Sequence, residues 1–158
     1  MQEGWRVQLE DGWERMADAV ILATPGAITA KLLQPIAPDS AELLSSIKYV
    51  STATVTLGYK KEGFSHSLDG FGFVVPRSEG RSILACTWTS SKFPHRAPEG
   101  YVMLRCYLGG ALQEEIAEKD EETLAALVKK DLQEIMGINE TPVFCKVFQN
   151  YKSNVQYH

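Results

Sequence analysis

The sequence predicts an α+β domain, an antiparallel β-sheet covered by helices, on three observations. From Tyr49 to Gly58 the residues alternate with a period of two in a run rich in Val and Thr. Three more strand-like runs follow at 70–76, 82–89 and 101–108, joined by the polar turn 77–81 and the Pro/Gly-bearing segment 93–100 instead of helices. The one long amphipathic helix comes after these strands, so it is free to cover a face of the sheet they form.

In chain order, Trp5, Val7 and Leu9 alternate with polar residues, Asp11-Gly12 supplies a tight turn, and Trp13 to Met16 returns, which makes a hairpin. Ala17 to Pro25 holds a continuous apolar run that stops abruptly. It reads as a strand buried on both faces, as in a parallel sheet, with a short buried helix as the alternative. Pro25 opens a short helix through Leu33, and the cluster 37–40 opens a second with Leu43, Leu44 and Ile47 on its apolar face. After the strands, Asp120 caps a helix with Leu124, Leu127, Val128, Leu132 and Ile135 at helical spacing, and Gly137 ends it. A last strand is expected over 142–148, before a polar tail.

The composition fits one ordinary globular domain: 158 residues, 44% hydrophobic, 23% charged and a net charge of −4. No apolar run approaches the roughly 20 residues of a membrane span, and the N-terminus lacks a signal pattern, so the expectation is a cytoplasmic protein. Scattered charges and an acidic balance leave no footprint for a phosphate backbone, which argues against nucleic acid as a partner. Oligomeric state is not written in the pattern. Cys86, Cys106 and Cys145 are an odd set at wide spacing inside apolar runs and read as buried free thiols. Three histidines without HxxxH or CxxC spacing leave no metal site.

No motif in the chain names a reaction by itself. Gly70-x-Gly72 lacks the third glycine and the helix of a dinucleotide fingerprint, and it reads as close backbone approach or a bulge. Gly109-Gly110 reads first as a turn. Glu114-Glu115 and Glu121-Glu122 fall at polar helix entrances and read as solvated carboxylates, and Ser90, Ser91 and His95 lack a nucleophile elbow. Trp88, Phe93, Tyr101 and Tyr107 are core or sheet-face aromatics; if they line a cavity, they suit a large flat apolar ligand.

Two stretches carry a family resemblance. Ala17 to Pro25 resembles the strand with which flavin-dependent amine-oxidase-like enzymes return to their dinucleotide-binding domain. The stretches Gly70 to Pro76, Leu84 to Gly100 and Leu108 to Gly110 are similar to the porphyrinogen oxidases of haem biosynthesis within that superfamily, and Gln156-Tyr157 is similar to the end of a Met-Pro-Gln-Tyr segment of theirs. The resemblance implies that FAD, in a longer parent, oxidises protoporphyrinogen or coproporphyrinogen stepwise to the porphyrin with oxygen as acceptor. It implies a residual FAD-domain hairpin and strand over 1–25 and a substrate-binding domain over 26–158, inactive alone.

By the same resemblance the substrate-binding residues are Phe71, Val74, Thr87 and Tyr107, and Ala23, Thr24 and Pro25 approach the flavin. No residue of the chain is expected to act as a catalyst. Arg77, Lys92, Arg96 and Arg105 read first as solvated charges, with a propionate as the alternative partner. Where the family usually has Arg-Trp and Met-Pro, the chain has Gln149-Asn150 and Asn154-Val155. A membrane-peripheral parent, the substrate domain of another flavin amine oxidase or desaturase, and a non-enzymatic module for a flat apolar ligand stay open.

Overall fold

A computed structural model describes residues 4–157 and resolves them into two compact units, Met1–Ile47 and Lys48–His158. The division falls after Ile47, so the first two helices group with the hairpin in the first unit.

In the first unit, β1 (Trp5–Gln8) pairs antiparallel with β2 (Glu14–Ala17). The Asp11 carboxylate accepts from the Trp13 amide at 2.9 Å, and Gly12 takes the φ of 86° that the turn requires. Helix α1 (Gly26–Leu33) follows Pro25, and α2 (Pro38–Ser46) starts with proline in its first turn, where a missing N–H costs nothing. The two helices pack together, with Ala30 and Ala41 buried. The segment 18–24 is not a strand, contrary to expectation, and Ile21 is 93% exposed. A continuous apolar run becomes a two-face-buried strand only between neighbouring strands, and none pairs with it among the described residues.

The second unit is built on a five-stranded antiparallel sheet in the order β4-β5-β6-β3-β7. Its strands are β3 (Tyr49–Lys60), β4 (Gly72–Val74), β5 (Ile83–Trp88), β6 (Tyr101–Gly109) and β7 (Phe144–Val155), and the four-residue helix α3 (Thr89–Lys92) follows β5. Strand β7 runs seven residues past the expected end at Phe148. Its polar second half gives no alternation to read, and as an edge strand it is held by its ladder to β3.

Helix α4 (Glu121–Met136) forms as its caps predict. Asp120 accepts from the Thr123 amide at 2.8 Å, and Gly137, at φ 70°, donates to the Gln133 carbonyl. Leu124, Val128 and Leu132 are fully buried against Ala53, Val55 and Leu57 of β3 and Leu104, Cys106 and Leu108 of β6. Each such side chain contributes about 1.5–3 kcal/mol by leaving water.

Two contacts outside the helical pattern pin the sheet. Asp131, on α4 and 4% exposed, accepts through Oδ2 from the amides of Ser82 and Ile83 at 2.9 and 3.0 Å, fixing where β5 begins. Ser51 of β3 stands opposite a bulge in β7, where residues 151–153 face this one residue and Lys152 takes a φ of 44°. The Ser51 amide donates to Glu114, its carbonyl accepts from Gly110, and its hydroxyl accepts from the Lys152 amide. Glu114 is thus an anchor and not the solvated carboxylate expected. The glycine reading holds at Gly72, where a Cβ would stand 2.1 Å from the Cys86 carbonyl oxygen. All three cysteines are free thiols, but Cys145 is exposed and not buried, because it lies on the edge strand β7.

Candidate functional site

Strand alternation sorts the side chains of the second unit into two faces. One face carries the core under α4. On the other, the register lines up rows across the strands. The first row is Val74, Ala85, Tyr107, Thr54 and Phe148; the second is Gly72, Thr87, Arg105, Thr56 and Lys146. A third, shorter row holds Met103, Gly58 and Phe144. Val74, Phe144 and Phe148 are exposed, and Thr87, Tyr107, Met103 and Arg105 are half-buried. Beside the third row, Tyr101, Met103, Pro98 and Phe144 line a shallow, mainly apolar groove of about 270 Å³. Exposed aromatic and aliphatic side chains gathered on one sheet face are the usual signature of a surface built to be covered.

Of the four residues expected to bind substrate, the register places Val74, Thr87 and Tyr107 on this one face. A regular strand would put Phe71 on the side opposite Val74. The expected irregularity is present, as a backbone distortion at Gly72 (φ 137°) and not as an inserted residue in the pairing of Gly72–Val74. Phe71 itself lies just before β4. Its carbonyl accepts from the Trp88 amide at 3.0 Å, and its ring is 67% exposed, so alternation assigns it to neither face. The sequence reading missed Phe144, Lys146 and Phe148, whose signal was the period-two pattern Phe-x-Lys-x-Phe. Arg105 was read as a solvated charge but is half-buried, with Nε donating to the Thr56 hydroxyl at 3.2 Å.

Three ionisable groups off this face have shifted titrations with structural causes. The Cys106 thiol is pushed well up by its hydrogen bond with Cys86, directly opposite on β5, and by burial, which favours the neutral thiol. Burial likewise raises the Tyr59 hydroxyl. Glu114 is pulled from the ordinary 4.5 to about 2, first by the Lys152 ammonium at 2.7 Å and then by the Ser51 amide at 2.6 Å. Gln149, where the resemblance expects arginine, donates to the carbonyls of Ala117 and Lys119 and ties β7 to the 3-10 turn Glu114–Glu118.

The model of the family described as flavin containing amine oxidoreductase matches residues 2–150. The chain belongs to this family. Among flavin amine oxidoreductases it is similar to the coproporphyrinogen III oxidase of Bacillus subtilis (strain 168), with 34% identity over 98% of this chain and 32% of that protein. It is also similar to the chloroplastic protoporphyrinogen oxidase of Oryza sativa subsp. japonica, with 36% identity over 76% of the chain and 24% of the relative. A protein from Exiguobacterium sp. 255-15, described provisionally as a protoporphyrinogen oxidase, superposes with a TM-score of 0.83 at 30% identity, over 99% of this chain and 34% of that one. Reduced UDP-galactopyranose mutase, at 13% identity and a TM-score of 0.66, shares the fold alone. The chain spans about a third of the length of the first of these relatives.

The family's flavin finds no seat of its own among the described residues. The sequence has no GxGxxG turn to cradle a pyrophosphate. At the start of α1 the amides of Ile28 and Thr29 are already taken by the Pro25 carbonyl, and the Thr24 hydroxyl is engaged with that of Thr29 at 2.7 Å. Ala23, Thr24 and Pro25 therefore do not fit a dinucleotide by themselves, and no chemical step is assigned to a flavin on this chain.

Proposed function

We propose that the chain is the substrate-binding part of an FAD-dependent porphyrinogen oxidase, acting on protoporphyrinogen or coproporphyrinogen with oxygen as the final acceptor, in haem biosynthesis. The observation that carries this reading is the open face of the sheet. A tetrapyrrole macrocycle is recognised mainly through apolar area on its faces, with a few polar groups at its rim, and the row from Val74 through Tyr107 to Phe148 offers that arrangement. The porphyrinogen oxidases among the relatives support the same substrate class. Oxidation belongs to the flavin of the longer protein; the chain binds and orients the ring. Ala23, Thr24 and Pro25 would border that flavin only beside a glycine-rich segment supplied from elsewhere, and a cytoplasmic place of action is part of the same proposal. Phe71 remains a candidate contact at the rim.

Fluorescence titration of the 158-residue chain with mesoporphyrin IX tests the reading. Tyr107→Ala and Phe71→Ala should each weaken binding by about 1–3 kcal/mol if the ring lies on them. Glu122→Ala, on the exposed side of α4, should change nothing, and FAD should not bind stoichiometrically at low micromolar concentration. Absence of porphyrin binding, or equal affinities in all three variants, would overturn the proposal.

A further inference from the structure

The charges of the sheet are one-sided. The chain as a whole is acidic, yet the five strands of the second unit contain no Asp or Glu; their charged residues are Lys60, Arg105, Lys146 and Lys152. Lys152 is spent on Glu114 at 2.7 Å, and Lys60 closes the end of β3. Arg105 and Lys146 stand in the middle of the open face, both in register with Thr56, on strands either side of β3. Two strand spacings put them about 10 Å apart. Neither is in an ion pair among the described residues.

Their donors are also aimed for use. Arg105 gives only its Nε to Thr56, so the hydroxyl fixes the guanidinium while both Nη groups keep the fork that grips a carboxylate bidentately. Lys146 leans its ammonium over the Phe148 ring, 5.8 Å from the centroid, toward the apolar row. The half-buried guanidinium sits among Thr87, Tyr107 and Met103, which shield its flanks from water and so strengthen its pull on an incoming anion.

We infer that Arg105 and Lys146 form a carboxylate-recognising row, which anchors the carboxylate-bearing edge of a tetrapyrrole while its ring covers the row of Val74, Tyr107 and Phe148. This rests on the porphyrinogen reading and deepens it. The row fixes how a carboxylate-bearing macrocycle is turned on the sheet, which apolar contact with a nearly symmetrical ring cannot do. Neutral flat rings lack the anchor and are discriminated against.

The test compares mesoporphyrin IX with its dimethyl ester, which has the same ring and no charge, by fluorescence titration of the full chain and of Arg105→Gln, Arg105→Lys, Lys146→Gln and the double Gln variant. The wild-type chain should prefer the acid by roughly tenfold or more, and each Gln substitution should cost the acid roughly tenfold, with Arg105→Lys between wild type and Arg105→Gln. Ester binding should stay within about twofold in every variant, which also reports that the fold is intact, and rising salt should erode only the preference for the acid. Equal wild-type affinity for acid and ester, or equal losses on both probes, would overturn the carboxylate row and leave the porphyrin surface standing. If neither probe binds, the porphyrinogen reading falls and the row falls with it.

Discussion

Removing the Asp131 carboxylate should loosen the sheet from the side opposite its open face. Asp131 is 4% exposed, and its Oδ2 takes the amides of both Ser82 and Ile83 at 2.9 and 3.0 Å, with Arg81 Nη1 4.0 Å from Oδ1. In Asp131→Ala two amides at the start of β5 lose their acceptor, one of them on a residue only 1% exposed. An unsatisfied buried amide costs about 1–3 kcal/mol, and the variant recovers part of the expense of desolvating a carboxylate, so the expected net loss is about 2–4 kcal/mol. Asp131→Asn keeps one acceptor oxygen and loses the charge, and should cost about 1 kcal/mol. Urea unfolding gives both values, and hydrogen exchange at Ser82 and Ile83 locates the damage. Asp131→Ala within about 0.5 kcal/mol of wild type would refute the reasoning. So would Asn proving as harmful as Ala.

Two further expectations concern the edges of the same sheet. The Glu114 carboxyl is lower folded than unfolded, so its contribution is fully present above about pH 4.5 and fades as the pH falls toward 2. The difference in urea midpoint between wild type and Glu114→Gln should therefore shrink across that window, and a constant difference would contradict the anchoring role. Gly72→Ala would press a Cβ to within 2.1 Å of the Cys86 carbonyl oxygen at a φ of 137°, costing on the order of 2 kcal/mol or more. It should strip exchange protection from the Trp88 and Val75 amides, which bond to Phe71 and Leu84, while the Leu104 amide keeps it. Unchanged protection at all three would show that β4 does not depend on this close approach.

Local signals were legible in the sequence where the chain supplies its own partners. Asp120 and Gly137 bracket α4 because a cap needs only a side chain and an amide a few residues away, and the same holds for the turn at Asp11-Gly12. The run 17–25 misled because a strand buried on two faces is defined by neighbours that these residues do not have. The far half of β7 was invisible for a related reason: Asn150 and Asn154 are in the sheet because β3 pairs with them, not because of their own preference. The candidate site was half legible. Val74, Thr87 and Tyr107 could be named from the resemblance, but nothing local to Arg105 says that Lys146 stands two strands away, since that neighbourhood is fixed by register over some forty residues of chain.

The alternation that sorts β3, β5 and β6 into two faces also separates two kinds of evolutionary freedom. On β6, Leu104, Cys106 and Leu108 are closed to change because they carry the core, while Met103, Arg105 and Tyr107 between them face the other way. Substitutions at the second set leave in place the buried side chains of the first set, which supply the stability. A lineage could rewrite what lies on this sheet, changing a cation here or an aromatic ring there, without refolding the protein that presents it. The surface that the sheet presents can thus change while the strands beneath remain in place.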